Sequence, residues 1–156
     1  MKAIRKIILI IFLFLVPVSL TANDETHLNL DRAILEQSRC LALNLYHEAR
    51  GEPLKGILGV AHTTINRTKH KDFPDTVCGV VYQKNQFSWT GAKQKNINRQ
   101  VYNRMYNISM AVMAGELKDP KFKSTIYFHS TNVYPEWASR MERVTQVGNH
   151  VFYSHK

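Results

Sequence analysis

The chain has 156 residues, a length that suits one domain with a short tail. Its 21 Lys and Arg residues exceed its 12 Asp and Glu residues, and the formal net charge is +9. This excess either favours a polyanionic partner or forms a solvated basic surface. The sequence contains no internal repeat, low-complexity tract or linker, which excludes a repeat protein and favours a single folded unit.

The first 22 residues have the order of a secretory signal peptide. An apolar run at 7–16 and then Pro17 are followed by small and polar residues up to Ala22. Three basic residues precede that run: Lys2, Arg5 and Lys6. The apolar stretch 7–20 is shorter than the roughly 20 residues of a membrane-spanning helix. Leu20 stands where cleavage prefers a smaller residue, so membrane association through a retained N-terminal anchor is the alternative.

Export to the periplasm or cell envelope narrows the set of partners. Cleavage after residue 22 removes three basic residues and no acid, so the net charge falls from +9 to +6. Export argues against nucleic acid and favours anionic cell-wall or outer-membrane polymers. The two cysteines, Cys40 and Cys78, predict a disulfide in such a compartment, and two buried free thiols are the alternative.

The residue pattern predicts two helices in the first half. Residues 23–32 are expected to form a mobile lead, in which Asp31 caps the first helix. An apolar stripe at helical spacing follows on that helix: Ile34, Leu35, Leu41, Ala42, Leu45 and Ala49. Gly51 ends this helix, and Pro53 suits the first turn of the next. Small residues on the second helix would let another backbone approach closely: Gly56, Gly59 and Thr63.

The second half indicates an α+β fold, mostly helical with a small C-terminal hairpin or sheet, in one domain over 33–156. Residues 77–82 are apolar and suit either a helix or a strand, whereas 83–94 form an amide-rich loop. A helix is expected over 98–114, with Gly115 as its end. Three strands are expected after it: 125–129, 144–147 and 150–153, the last two joined by the turn Gly148-Asn149.

Glu48 is the candidate general acid. On a helical wheel it falls at the edge of the apolar stripe, seven residues after Leu41 and three after Leu45. A carboxyl group at that edge is partly desolvated, which raises its pKa towards the range that a general acid needs near neutral pH. The alternative is an ion pair of Glu48 with Arg50 or Arg67 that fixes the helix end.

The loop at 83–90 sets amides and hydroxyls between aromatic rings, which is a composition typical of sugar recognition. Aromatic faces cover the apolar faces of sugar rings, and amides bond their hydroxyl and acetamido groups. The candidate contacts in this loop are Gln86, Ser88 and Trp89. Tyr127 and residues 134–137 would extend the surface, whereas Phe87 is expected in the core.

No metal site and no cofactor are expected. The zinc-protease motif H-E-x-x-H fails after His47-Glu48, because position 51 is glycine. The remaining histidines considered are scattered along the chain: His62, His70, His129, His150 and His155. Three histidines could converge on zinc in the fold, although scattered histidines are more often surface or core residues.

Taken together, these stretches resemble the SleB/CwlJ-type cell wall hydrolases, a family named for spore-cortex-lytic enzymes. The matching motifs are Tyr46-His47-Glu48-Ala49-Arg50-Gly51-Glu52, Val60-Ala61 through Ile65-Asn66-Arg67, Phe73-Pro74-Asp75-Thr76-Val77, Gln86-Phe87-Ser88, and Gly148-Asn149-His150-Val151-Phe152-Tyr153. They stand in the family's order and cover about Cys40 to Tyr153. Each motif alone is weak, but five in register are specific.

The resemblance implies a lysozyme-like α+β fold and peptidoglycan as the substrate, cut between N-acetylmuramic acid and N-acetylglucosamine. It assigns the catalytic acid to Glu48 and places Ser88 and His150 among the substrate-binding residues. Family enzymes are similar to lytic transglycosylases, which close a 1,6-anhydro ring instead of adding water. The alternatives are an N-acetylmuramoyl-L-alanine amidase and a non-catalytic wall-binding module.

The number of carboxyl groups bears on the mechanism. A glycoside hydrolase normally needs two, about 5 Å or about 6.5–9.5 Å apart, whereas a lytic transglycosylase can use one. Glu52 is the acid nearest to Glu48 in sequence, and capping the Pro53 helix is a sufficient role for it. Glu48 alone therefore fits single-carboxylate chemistry, unless the fold brings another acid close: Asp72, Asp75, Glu116 or Glu136.

Overall fold

The computed structural model describes residues 22–92 and 96–156. The expected signal peptide, residues 1–22, lies outside the described residues except for Ala22, so both its cleavage and a retained anchor stay predictions. No helix within the described ranges is long and apolar enough to cross a membrane.

Within these ranges, four α-helices precede a three-stranded antiparallel sheet of order β1-β3-β2. The helices are α1 (Ala22–Ala49), α2 (Leu54–Arg67), α3 (Val77–Val81) and α4 (Arg99–Met113). The strands are β1 (Tyr127–Ser130), β2 (Glu142–Val147) and β3 (His150–Ser154). Short 3-10 helices lie at Ser88–Gly91, Pro120–Phe122 and Glu136–Arg140. This architecture confirms the predicted α+β class with a small C-terminal sheet.

Helix α1 is already helical at Ala22, well before the start that the sequence predicted after Asp31. The expected lead, residues 23–32, is helical, and the prediction that Asp31 caps the helix is wrong. Residues 25–36 of α1 are exposed. They remain helical because no Gly or Pro interrupts the backbone hydrogen bonds of the helix. Ile34 and Leu35 are also exposed, because the packed part of α1 begins only at Ser38.

The core lies where α1 packs against α2, α3 and α4. Leu41 and Leu45 of α1 are fully buried there beside Ile57 and Met105. The disulfide Cys40–Cys78 joins α1 to α3, with the two Cα atoms 5.2 Å apart, as the two cysteines predicted. The helices therefore hold the second half of α1 in a fixed place.

The small-residue face of α2 has close neighbours, as predicted, but they are side chains, including one from the sheet, rather than the expected backbone. A Cβ atom on Gly59 would stand 2.5 Å from Cζ of Phe152 and 2.8 Å from Cε1 of Phe122. Thr63 donates to or accepts from Thr125 at 2.9 Å on the same face. These contacts place β3 against α2.

Local signals set the ends of α4 and of the hairpin. Asn98 caps α4 by accepting a hydrogen bond from the backbone N–H of Val101, and Gly115 takes the left-handed conformation just beyond it. Gly148, also left-handed, opens the turn between β2 and β3 as predicted. The predicted strand 125–129 starts before β1, which runs from Tyr127 to Ser130, because the Thr125 side chain bonds α2.

Candidate active site

A cavity of about 430 Å³, here called the Glu48 cavity, lies at the C-terminal end of α1. Glu48 comes from α1 and Arg67 from α2, while Gln86 and Ser88 come from the loop after α3. The sheet contributes residues 128–130 of β1 and His150 of β3. Four of the residues predicted from sequence, Glu48, Gln86, Ser88 and His150, therefore lie around one space.

Glu48 is half-buried in this cavity, as its place at the edge of the apolar stripe predicted. Burial raises the pKa of its carboxyl group, whereas a hydrogen bond with the Trp89 side chain and the charge of Arg67 lower it. Burial is the largest of these effects. The group therefore holds its proton to a higher pH than an exposed glutamic acid does.

Arg67 lies in the wall of the cavity as a buried cation. Its Nε donates a hydrogen bond to the carbonyl oxygen of Ile126 at 2.7 Å, and its guanidinium lies 5.1 Å from the Phe73 ring centre. Burial lowers its pKa to about 10, so it remains charged at neutral pH. Its buried Nη1 has no hydrogen-bond partner among the described residues. A positive charge thus stands near Glu48 with one donor unused.

The alternative ion pair of Glu48 is not present. Among the residues that the structure describes, neither Arg50 nor Arg67 pairs with Glu48. Arg50 instead lies over the Tyr46 ring, 4.9 Å from its centre, and Arg67 acts on Glu48 only through its charge. Glu48 is therefore not held as a structural ion pair at the helix end.

Trp89 supports Glu48 from the loop. Its ring stacks on His47, with the ring centres 4.4 Å apart and the planes at 16°. Its side chain forms the hydrogen bond that stabilises the Glu48 carboxylate. It is not among the residues that line the cavity, and Phe87 beside it is buried in the core as predicted. The structure therefore shows Trp89 in contact with His47 and Glu48, and its predicted sugar contact stays a prediction.

Two histidines of the sheet, His129 and His150, line the Glu48 cavity. Burial lowers the pKa of His150, and the charge of Glu52 opposes that effect. The sequence pointed to His129 only as one of the histidines that could converge on zinc. It bonds the carbonyl oxygen of Ser130 at 2.8 Å and the Tyr153 hydroxyl at 2.9 Å. The signal available in the sequence was its place at the end of a predicted strand. Both ring nitrogens of His129 are therefore engaged within the protein.

Tyr127 lies away from the cavity. Its ring packs against Phe73 and Trp137, at centre distances of 5.9 and 5.3 Å, and stands 5.8 Å from the Arg67 guanidinium. It is not among the residues lining the Glu48 cavity. The structure does not bring it together with Gln86 and Ser88 around this cavity, and its predicted sugar contact stays a prediction.

Glu52 does not cap α2, so that prediction is wrong. The capping position is Pro53, which has no side-chain cap hydrogen bond. The Glu52 carboxylate instead accepts hydrogen bonds from the backbone and side chain of Asn149, at 2.9 and 3.1 Å. Among the described residues that line the cavity, Glu48 is the one carboxylic acid. The other acids that sequence left open do not line it: Asp72, Asp75, Glu116 and Glu136.

A group of possible metal ligands lies elsewhere. His70, Asp72 and His155 each offer a ligand atom, and these atoms lie within 4.8 Å of one another. His70 and His155 line a different cavity from that of Glu48. The sequence left open a convergence of three histidines, but this group holds two histidines and one aspartate. It lies apart from the candidate active site.

The sequence is similar to a known protein family and to curated proteins. A family model described as Cell Wall Hydrolase matches residues 51–153, a range that begins just after Glu48. The chain is 30% identical over 112 residues to a spore cortex-lytic enzyme of Oceanobacillus iheyensis, which covers 72% of this chain and 39% of the relative. Over 116 residues it is 26% identical to a spore cortex-lytic enzyme of Bacillus subtilis, covering 73% and 36%. The match thus spans well under half of each curated relative.

Solved structures show the same fold. The catalytic domain of the Bacillus cereus SleB protein superposes with a TM-score of 0.60 at 23% identity, over 76% of this chain and 89% of that domain. The catalytic domain of the germination-specific lytic transglycosylase SleB of Bacillus anthracis gives a TM-score of 0.60 at 22% identity, over 89% and 100%. These similarities confirm the predicted lysozyme-like fold class.

Proposed function

Because the chain belongs to the cell wall hydrolase family, we propose that it degrades peptidoglycan by cutting the bond between N-acetylmuramic acid and N-acetylglucosamine. Glu48 is the catalytic acid in this proposal, and the reaction is that of a lytic transglycosylase. The protein acts after export, in the periplasm or cell envelope, where a disulfide such as Cys40–Cys78 persists.

The observation that carries the proposal is the setting of Glu48. It is half-buried, burial raises its pKa, and no other carboxylic acid is among the described residues that line its cavity. A hydrolase of either stereochemistry needs a second carboxyl group within about 5–9.5 Å across the scissile bond. A lytic transglycosylase does not, because the substrate supplies its own nucleophile.

The reaction balances with Glu48 alone. The Glu48 carboxyl group gives its proton to the glycosidic oxygen while the bond from that oxygen to C1 of N-acetylmuramic acid breaks. The resulting carboxylate then takes the proton of the 6-hydroxyl group of the same sugar, and the 6-oxygen bonds to C1. The products are a free 4-hydroxyl group on N-acetylglucosamine and a 1,6-anhydro end. Glu48 is protonated again and no water is consumed.

The neighbours of Glu48 suit both halves of this cycle. Burial favours the protonated acid before the bond breaks. Arg67 and Trp89 favour the carboxylate that remains after the proton has left. The surroundings of Glu48 thus contain an influence that favours each protonation state, which suits a group that acts first as acid and then as base.

The experiment is a digest of isolated sacculi with the purified protein, followed by mass spectrometry of the soluble products. Muropeptides that end in anhydro-muramic acid are the expected products. Reducing ends would show that water is added, and free stem peptides would overturn the proposal in favour of the amidase. The same digest with EDTA should proceed unchanged. Loss of activity that zinc restores would instead point to metal chemistry.

A further inference from the structure

The group of possible metal ligands, here called the His70 cluster, joins two parts of the chain that are distant in sequence. His70 and Asp72 lie in the turn that follows α2, and His155 directly follows β3. One ligand atom from each of the three side chains lies within 4.8 Å of the other two. The fold therefore brings two imidazoles and one carboxylate together, a combination that the sequence did not predict.

Backbone and ring contacts hold the two imidazoles of the cluster. The backbone N–H of His70 donates to the carbonyl oxygen of Arg67 at 2.9 Å, and that of Phe73 donates to the carbonyl oxygen of His70 at 3.1 Å. The ring centres of His70 and His155 are 4.9 Å apart, with 29° between their planes. Edge contacts bracket the pair, from Phe73 to His70 at 5.8 Å and from Tyr127 to His155 at 5.9 Å. Both imidazoles are thus positioned before an ion binds, which lowers the entropy cost of ordering them.

The ligand types select the class of ion. Two imidazole nitrogens and one carboxylate oxygen suit zinc and the neighbouring divalent transition metals, whereas calcium and magnesium prefer ligand sets made of oxygen. Tetrahedral zinc, with bonds of about 2.0–2.2 Å, separates its ligand atoms by roughly 3.3 Å. Rotation of side chains brings atoms that lie within 4.8 Å to that spacing, and Asp72 and His155 are exposed enough to rotate.

The charges around the His70 cluster are balanced. Lys69 and Lys123 line the cavity of about 520 Å³ that both histidines of the cluster also line, and their charges oppose a cation. Both lysines are exposed, so their ammonium groups can stay in water at the ends of flexible side chains. Glu142 lines the same cavity and adds a second carboxylate to that of Asp72. Three direct bonds to an ion therefore outweigh a repulsion that water and two carboxylates screen.

We propose that the His70 cluster binds one zinc ion through His70, Asp72 and His155, with a water molecule in the fourth position. The ion joins the turn after α2 to the end of β3. It stabilises the folded chain, because the unfolded chain does not hold the three ligands together. None of the three residues lines the Glu48 cavity, so the ion takes no part in the cleavage of the glycan. The zinc site stands independently of the proposed function.

The first test is calorimetry of zinc chloride binding to the exported chain, made without a polyhistidine tag and freed of metal with EDTA. One site per chain is expected, and magnesium chloride should not bind at the same concentrations. His70→Ala, Asp72→Asn and His155→Ala should each weaken zinc binding by at least about tenfold, because each removes a ligand. His27→Ala is the matched control, since His27 is an exposed histidine of α1 outside the cluster, and it should keep the affinity.

The second test compares thermal melts of each protein with and without zinc, so that the cost of a substitution itself cancels. With free zinc about tenfold above the dissociation constant, the melting temperature of the wild-type protein should rise by roughly 4–7 °C. His27→Ala should show the same rise, and the three cluster variants should show much less at that concentration. Digests of sacculi well below the melting temperature should run at the same rate with zinc and with EDTA.

Two results would overturn the zinc site. One is the absence of zinc binding to the wild-type protein, and the other is equal zinc affinity in wild type, His70→Ala and His155→Ala. Either result leaves the proposed function intact, because that function depends on Glu48 and is read from the digest products. Turnover that EDTA abolishes in a folded protein and zinc restores would overturn the separation of the ion from the chemistry.

Discussion

Glu52 and Asn149, 97 positions apart in the chain, are joined by two hydrogen bonds. Oε2 of Glu52 accepts from the backbone N–H of Asn149 at 2.9 Å, and Oε1 accepts from its side-chain amide at 3.1 Å. Asn149 lies in the turn that leads into β3, whose first residue, His150, lines the Glu48 cavity. The carboxylate just after α1 thus fixes the hairpin that completes the site.

Replacing Glu52 by alanine should therefore lower stability. The Glu52 side chain is 8% exposed, and its loss leaves the Asn149 donors without their partner. We expect the free energy of unfolding to fall by about 1.5–3 kcal/mol, as for a hydrogen bond to a charged group. Urea denaturation measures it, with Glu116→Ala at an exposed glutamate as the control, which should change by less than about 0.5 kcal/mol. Equal effects of the two variants would contradict the role of Glu52.

Gly59→Ala tests the contact between α2 and the sheet. The added methyl group would lie 2.5 Å from Phe152 and 2.8 Å from Phe122, two fully buried rings that have little room to move. We expect a loss of about 1–3 kcal/mol, as for other overpacked cores. Gly51→Ala is the matched control, because nothing lies within 4 Å of its added methyl group. If Gly59→Ala were as stable as the control, the Phe152 ring of β3 would not pack tightly against Gly59 of α2.

The disulfide should stabilise the fold substantially. It closes a loop with a sequence separation of 38, for which chain entropy gives about 3–4 kcal/mol. Denaturant unfolding with and without a strong reductant should show a loss of that order. The control is the double variant Cys40→Ser with Cys78→Ser, whose midpoint should not respond to reductant. No response in the wild-type protein would mean that the bridge contributes little.

The raised pKa of Glu48 has a consequence for stability. A carboxyl group with a raised folded-state pKa contributes stability below its ordinary value of 4.5, and this contribution is lost as pH rises through the raised pKa. Glu48→Gln removes the charge that burial disfavours. The variant should therefore melt at a higher temperature than the wild-type protein at pH 7. The difference should shrink as pH falls below 4.5, and a difference independent of pH would refute this explanation.

What the sequence predicted well depends on local chemistry. The ends of α4 follow from the cap at Asn98 and from the left-handed Gly115, which act on the backbone beside them. The hairpin turn follows from Gly148 in the same way. Glu48 was placed at the edge of the buried face because helical spacing alone decides which side of a helix a residue occupies.

What the sequence did not predict depends on distant partners. Pro53 suggested a capping role for the adjacent Glu52, but the partner of Glu52 comes from a turn 97 positions away. The small residues around Gly59 predicted that another group approaches α2 closely there, but they did not identify it as the Phe152 ring. Tyr127 was assigned to the sugar surface, and only the folded sheet shows that its ring packs against Phe73.

The most direct test of this account is the turnover of Glu48→Gln on sacculi. Glutamine keeps the size of the side chain but cannot donate a carboxyl proton, so the folded variant should lose about 10²–10⁴-fold in rate. Ser88→Ala, which removes one hydroxyl group from the cavity wall, should lose only about 0.5–1.5 kcal/mol of transition-state stabilisation. Glu116→Gln should be fully active, and thermal melts must show all three variants folded. A folded Glu48→Gln protein with near-normal turnover would contradict the assignment of Glu48 as the catalytic acid.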